Sequence, residues 1–200
     1  MWKNQPECGN AESEEEIMAK VYAMIADGTE EIECLAVVDL LRRAGIETVL
    51  VSAGETKAVV SSHGIRIEAD QTAGETDFSD GDVIFVPGGM PGSEHLSACE
   101  LLVQALKVQN EAGKRIAAIC AAPAVVLGRH GLLKGKKATC FPGFEGELLD
   151  AVHTDAGVVT DGNITTARGL GAALDLGLEL VRLLVSGEAA ADLKERIQYR

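Results

Sequence analysis

The chain has 200 residues and a formal net charge of −13. That acidity speaks against nucleic acid or an anionic membrane as a main partner, and no apolar run reaches transmembrane length. The length favours a single domain, and 46% hydrophobic residues with only 4% aromatics leave the packing to Ala, Val, Leu and Gly, a balance that suits buried parallel strands.

Met1 to Ile17 is polar, carries five Glu against one Lys, and has no periodicity. It reads as a disordered acidic tail. It has neither the basic start nor the apolar centre of a signal peptide. A translation start at Met18 is the alternative, because the domain pattern, 18–200, begins directly after it.

That domain alternates strands and helices. Lys20 to Ala26 is predicted as a strand. Thr29 to Ala44 is predicted as a helix, with Ile32, Leu35, Ala36, Leu40 and Leu41 on one side and Arg42, Arg43 and Gly45 as stop signals. Ile46 to Ser52 follows as a strand, and Val59 to Glu68 as a hairpin around Ser62–Gly64. Asp82 to Val86 is a strand ending in P-G-G-M-P-G. Leu96 to Ala112 is a helix, Ile116 to Ile119 a strand buried on both faces, and Ala122 to Leu127 a helix with Pro123 in its first turn. Lys137 to Phe141 is a strand and Phe144 to Ala151 a short helix. Gly157 to Thr160 and Ile164 to Ala167 form a hairpin through Asp161–Gly162–Asn163. Leu170 to Val185 and Glu188 to Gln198 are the last helices. This order predicts an α/β fold with a doubly wound, mostly parallel sheet and helices on both faces.

Ligands of such sheets bind beyond the carboxyl ends of the strands, and three loops there stand out. The first is A-D-G-T-E-E-I-E. Acids in a first helical turn complement the helix dipole, which accounts for Glu30 and Glu31; Glu33 could instead turn toward the sheet edge. The second is the P-G-G-M-P-G loop, where Gly88 and Gly89 permit close backbone approach and exposed N–H groups. The third carries Cys120 between a strand and a helix. A thiol there faces free N–H groups and the positive end of the helix, which favours thiolate. The geometry is that of a nucleophile elbow without its flanking glycines. The plain alternative is a buried structural cysteine. If Glu33 faces Cys120, desolvation and like charge would hold it protonated, able to donate to sulfur and to act as acid or base. N–H groups of the glycine loop and of Ala121 could form an oxyanion hole.

Several chemistries find no support. The five cysteines (Cys8, Cys34, Cys99, Cys120, Cys140) lack C-x-x-C spacing, a pattern of a reducing, cytoplasmic compartment rather than of disulfides or zinc. His63, His95, His130 and His153 have no partners at metal-ligand spacing, so no metal is expected. Neither G-x-G-x-x-G nor a phosphate-binding P-loop is present. Arg168–Gly169, before the apolar helix, fits a loop cap better than an anion contact.

Four stretches, ADGTEEIECLAVVDLLRRAGI, DVIFVPGGMPG, AAICAAPAVV and TTARGLGAALDLGLELV, give a resemblance spanning nearly all of Ala19 to Tyr199. The chain resembles the ThiJ/PfpI superfamily, and within it the subgroup of the Parkinson-disease-associated deglycase and its bacterial relatives. The resemblance implies a flavodoxin-like sandwich, a homodimer and no cofactor. It implies a nucleophilic Cys120 partnered by a protonated Glu33, flanked by the N–H groups of Gly89 and Ala121. Gly88 and Glu30 would lie at the same pocket, Glu30 toward the dimer contact. Two departures matter. Phe141 stands before Pro142 where many subgroup members have His. Ala121 comes after the cysteine where the protease-like branch has His, which argues against peptidase activity. The expected function is conversion of reactive 2-oxoaldehydes or their adducts, a glyoxalase or deglycase acting on a small carbonyl substrate. The alternative is a redox-responsive stress protein or chaperone whose Cys120 is oxidised to sulfinate.

Overall fold

A computed structural model describes residues 19–200, and the predicted acidic tail lies outside them. Eleven described strands are present. They are β1 (Lys20–Ile25), β2 (Glu47–Ser52), β3 (Ala58–Val60), β4 (Arg66–Glu68), β5 (Gln71–Thr72), β6 (Val83–Val86), β7 (Arg115–Ile119), β8 (Lys137–Ala138), β9 (Val152–His153), β10 (Val158–Asp161) and β11 (Ile164–Ala167). The helices are α1 (Glu31–Arg43), α2 (Gly92–Ala98), α3 (Glu100–Glu111), α4 (Ala173–Leu184) and α5 (Gly187–Arg196). Seven strands form one sheet in the order β10-β11-β7-β6-β1-β2-β5. Every pairing in it is parallel except β10 with β11 at one edge.

The sheet is covered on both faces, which is why its strands read as continuous apolar runs. Val21, Ala23 and Ile25 of β1 point to one face, where they meet Val37 and Leu41 of α1 and Leu176 and Leu180 of α4. Tyr22 and Met24 point to the other, against Leu102 and Leu106 of α3 and Ala124 and Val126 after β7. The chain leaves β1 toward β2 and later returns on the other side of β1 to β6. Such a reversal of winding opens a crevice at the carboxyl edge.

Four predicted elements differ. The Leu96–Ala112 helix is two helices. Cys99 is extended between them (φ −75°, ψ 101°). The break lets α2 stay over the sheet edge, where Ser97 Oγ donates to the Val125 carbonyl at 2.9 Å, while α3 runs back along the core. The Ala122–Leu127 helix is a wide turn. Its bonds skip five residues, Arg129 N–H to Ala124 carbonyl at 3.1 Å and Leu132 N–H to Leu127 carbonyl at 3.0 Å. The Phe144–Ala151 helix is reduced to one tight turn at Glu145–Glu147. The Lys137–Phe141 strand shortens to β8, which pairs in parallel with β9. Strand β9 is two exposed residues, too short for any periodicity to announce it.

Helices α1 and α4 meet at Gly177. A Cβ there would come within 2.6 Å of Leu40 Cδ1 and 3.2 Å of Leu40 Cβ, and Leu40 is fully buried. Gly177→Val is therefore expected to lower unfolding stability by about 2 kcal/mol through overpacking. A urea midpoint equal to wild type would show that the helices separate without cost.

Candidate active site

Cys120 lies immediately after β7 and has φ +65°, a left-handed conformation rare outside glycine. Two neighbours fix it there. The Cys120 N–H donates to the Ala167 carbonyl at the end of β11 (2.9 Å), and its carbonyl accepts from the Phe141 N–H (2.8 Å). The strain is of order 1–3 kcal/mol, held by the strand on one side and the Phe141 loop on the other. The residue is partly exposed. The other described cysteines show no such geometry: Cys34 and Cys140 are buried, and Cys99 links two helices.

Glu33 sits in the first turn of α1 and is 1% exposed. Its position is set by the cap: Glu30 ends the extended segment, and its Oε2 accepts the Glu33 N–H at 2.6 Å. That turns the Glu33 side chain inward. Gly88 then decides how near Cys120 can come. A Cβ at Gly88 would overlap Glu33 Oε2 and lie 2.5 Å from Cys120 Cβ. Only a residue without a side chain lets the acid and the thiol share that space. Gly89 (φ +93°) closes the turn, and a Cβ there would collide with the Glu30 N–H. The Glu30 N–H itself donates to the Gly88 carbonyl at 3.0 Å, tying the first and second loops together.

Burial governs the electrostatics. Desolvation raises the Glu33 pKa to about 7, with the Glu30 charge adding to the rise; the Cys120 thiol and the N–H groups of Gly88 and Leu170 oppose it. Glu33 Oε2 has no hydrogen-bond partner of regular geometry among the described residues, so the opposing contacts are weak. Burial pushes the Cys120 thiol up to about 12, with the Glu33 charge as the next cause; the N–H groups of Gly89 and Ala121 pull it down. The N–H groups expected to favour thiolate do act in that direction, and burial outweighs them. The segment after Cys120 is a six-residue wide turn, Pro123–Gly128. The upward push from Glu33 acts only when Glu33 is ionised. The two groups titrate as a pair, and a thiolate requires a neutral Glu33 beside it.

All six predicted site residues meet at this edge. Glu33, Gly88 and Cys120 are in mutual contact, Gly89 and Ala121 turn N–H groups toward the sulfur, and Glu30 supports Glu33 from behind. Sequence reasoning missed two contributors. A Cβ at Gly169 would lie 4.0 Å from Glu33 Oε1, and the Leu170 N–H approaches the same carboxyl. The Phe141 ring covers Gly169, at 3.2 Å from that Cβ position. Glu31, read as a dipole acid, contacts His63 Nδ1 at 2.9 Å. Glu30, Glu31 and His63 are the one described cluster of metal-ligand type, but both acids serve the α1 cap and its hairpin contact.

The pattern of the DJ-1/PfpI family matches residues 19–183. The chain belongs to that family. A DJ-1 homologue B from Arabidopsis thaliana is 40% identical over 176 residues, which is 88% of this chain and 40% of that protein. The chain thus spans less than half of that relative's length. A DJ-1/PfpI protein of Caenorhabditis elegans, named a glutathione-independent glyoxalase, is 31% identical over 84% of this chain and 89% of its own. The oxidised structure of Toxoplasma gondii DJ-1 superposes with a TM-score of 0.88 at 37% identity, covering 90% of this chain and 98% of that one. The flavodoxin-like, doubly wound fold expected from the alternation is therefore the DJ-1 fold. No described helix is long and apolar enough to cross a membrane.

Because the Glu33 pKa rises from 4.5 to about 7 on folding, the folded state binds that proton more tightly than the unfolded one. Stability from this group is full below about 4.5 and is lost as pH rises through about 7. Glu33→Gln lacks the ionisation. The stability of wild type minus that of Glu33→Gln should fall steadily across this window in urea titrations. A difference independent of pH would mean that Glu33 is ionised throughout.

Proposed function

We propose that this protein is a cofactor-independent cysteine enzyme of glyoxalase or deglycase type. Its substrates are small 2-oxoaldehydes such as methylglyoxal, or their adducts. The observation that carries the reading is the contact of one strained, partly exposed cysteine with one buried acid across Gly88. The name of the C. elegans relative supports the same chemistry.

In this reading the Cys120 thiolate adds to the aldehyde carbon. The carbonyl π electrons pass to oxygen, which takes the proton of Glu33 and gives a hemithioacetal. The N–H groups of Gly89 and Ala121 stabilise the alkoxide before that transfer. The Glu33 carboxylate then removes the proton on the thiol-bearing carbon and returns one to the neighbouring carbon. The ketone carbon becomes the hydroxyl-bearing one, and the aldehyde carbon becomes a thioester. Water hydrolyses the thioester, releasing lactate and the thiol. The net change is methylglyoxal plus water to lactate, with no external oxidant.

The same geometry supports a second reading, oxidation of Cys120 to sulfinate. A protonated Glu33 Oε2, lacking another partner, would donate to a sulfinate oxygen. Peptide mass spectrometry after mild peroxide should then find oxidation at Cys120 before Cys34, Cys99 or Cys140. Uniform oxidation would remove this reading.

A homodimer accompanies the enzyme in this proposal. Ile32 (50% exposed) on α1 and Val60 and Ile65 (45% and 49%) around the β3–β4 hairpin are apolar and uncovered. The hairpin is fastened beside the start of α1 by Gly28 N–H to Val60 carbonyl and Ser62 N–H to Thr29 carbonyl. A second copy is the occupant that the family resemblance supplies. Ile32→Glu should shift the sedimentation coefficient to that of a monomer at micromolar concentration. A wild type already monomeric there would rule the dimer out.

The enzyme reading is tested by D/L-lactate formation from methylglyoxal. Cys120→Ala should abolish it, and Glu33→Gln should slow it by about a hundredfold or more, the usual loss for a general acid–base. Equal rates in the three proteins would end the proposal.

A further inference from the structure

Beside the Cys120–Glu33 pair runs a groove of about 480 Å³, lined by Phe141, Pro142, Gly157, Arg168, Leu170 and Asp175 among others. Arg168 is the cation of this wall. Its place in the chain ties it to the site on both sides. The preceding Ala167 carbonyl holds the Cys120 N–H, and the next residue, Gly169, is packed against Glu33 Oε1 and the Phe141 ring. Its own backbone is anchored by an N–H bond to the Gly157 carbonyl at 2.9 Å.

The Arg168 side chain makes no ion pair and no hydrogen bond among the described residues. Arg66 and Arg115 are likewise without an ion pair among the described residues, so what sets Arg168 apart is its place on this groove. The acids around it are otherwise engaged. Asp175, on the same groove, accepts the Tyr199 hydroxyl at 3.0 Å. Glu145, close enough to feel both His153 and Arg168, accepts the Gly143 N–H at 2.8 Å. Elsewhere Arg129 bridges Glu94 and Glu147, Arg182 pairs with Glu179, and Arg42 pairs with Asp70. A guanidinium left with all five donors free, on the wall of a groove whose Phe141 and Gly169 border the Cys120–Glu33 pair, is placed to receive a planar oxyanion.

We propose that Arg168 selects substrates by charge: the preferred carbonyl compound carries a carboxylate a few bonds from its reacting carbon, and Arg168 binds that carboxylate while Cys120 attacks. This rests on Cys120 as the nucleophile and deepens the enzyme reading by naming its substrate class. An amino-acid adduct offers such a carboxylate, as does a 2-oxoaldehyde bearing an acid chain. Methylglyoxal has none and would be a minimal substrate.

The test separates recognition from turnover by using alkylation. Iodoacetate and iodoacetamide are nearly isosteric and differ in charge, and each transfers a carbon to the Cys120 sulfur with loss of iodide. The rate ratio of acid to amide at Cys120, measured by peptide mass spectrometry and divided by the ratio for glutathione, reads the preference directly. Wild type should favour the acid by about tenfold, the scale of one charge-assisted hydrogen-bonded contact. Arg168→Met should bring the normalised ratio to about one, and Arg168→Lys should keep part of it. A wild-type ratio near one, or a ratio unchanged in Arg168→Met, overturns the proposal. A second arm compares 4,5-dioxopentanoate with its methyl ester as substrates. A wild-type preference for the acid that Arg168→Met loses through KM supports the assignment, and equal kcat/KM for acid and ester contradicts it. If neither compound nor methylglyoxal is turned over, the enzyme reading fails while the alkylation ratio still decides the anion site.

Discussion

A carboxyl group and a thiol are pressed together across a residue that has no side chain, and both lie largely out of water. The enzyme reading proposed above depends on that contact. Two like charges in such a space repel strongly, so the pair favours a single negative charge near neutral pH. Burial raises both groups, Glu33 to about 7 and the Cys120 thiol further, to about 12. The thiol and the carboxyl are thereby one titrating unit.

The sheet brings the pair together by its winding. Strands β1, β6 and β7 are adjacent and parallel, so the three loops at their carboxyl ends open on one edge. The loops then bind one another rather than water. Glu30 N–H reaches the Gly88 carbonyl, Ser93 N–H reaches the Gly89 carbonyl, and Cys120 is held by Ala167 and Phe141. Positions are set by main-chain bonds between neighbouring elements, which constrains the side chains more tightly than loop tips in solvent would. Helices α1 and α4, packed at Gly177, keep Glu33 and the Gly169–Leu170 turn in the same layer.

The parts legible in the sequence are those written in local chemistry. Apolar runs locate β1, β2, β6 and β7, and the D-G-N turn locates the β10–β11 hairpin. Cys120 at a strand end, Glu33 in a first turn and the Gly88–Gly89 pair mark the site because strand ends of parallel sheets converge. The features that the sequence does not carry are set by contacts between distant segments. The break at Cys99 exists because α2 is retained by Val125, far along the chain. Strands β8 and β9 are two residues each and exist only through their mutual pairing. The Cys120 ionisation departs from its sequence expectation for a related reason. A helix end is a local feature, whereas desolvation by Phe141, Gly169 and the rest of the edge is not.

The cost of this arrangement is visible where polar atoms go unpartnered. Four buried side-chain oxygens among the described residues lack a hydrogen bond: those of Glu33, Ser93, Thr139 and Thr154. Three of the four belong to segments that frame the elbow. Ser93 opens α2 behind the glycine loop, and Thr139 lies two residues before Phe141, whose N–H holds Cys120. Each such group costs about 1–3 kcal/mol, in addition to the strain at Cys120. A fold selected only for stability would fill the Gly88 gap and replace Glu33 with an apolar residue of similar volume. Retaining both concentrates destabilisation at one edge, which is the expected pattern where activity and stability pull in opposite directions. In the proposed reaction the unsatisfied carboxyl is a group waiting for a partner rather than a packing defect. A substrate alkoxide or sulfinate oxygen would supply the missing acceptor, and the same burial that makes the resting acid costly would then strengthen the bond it makes.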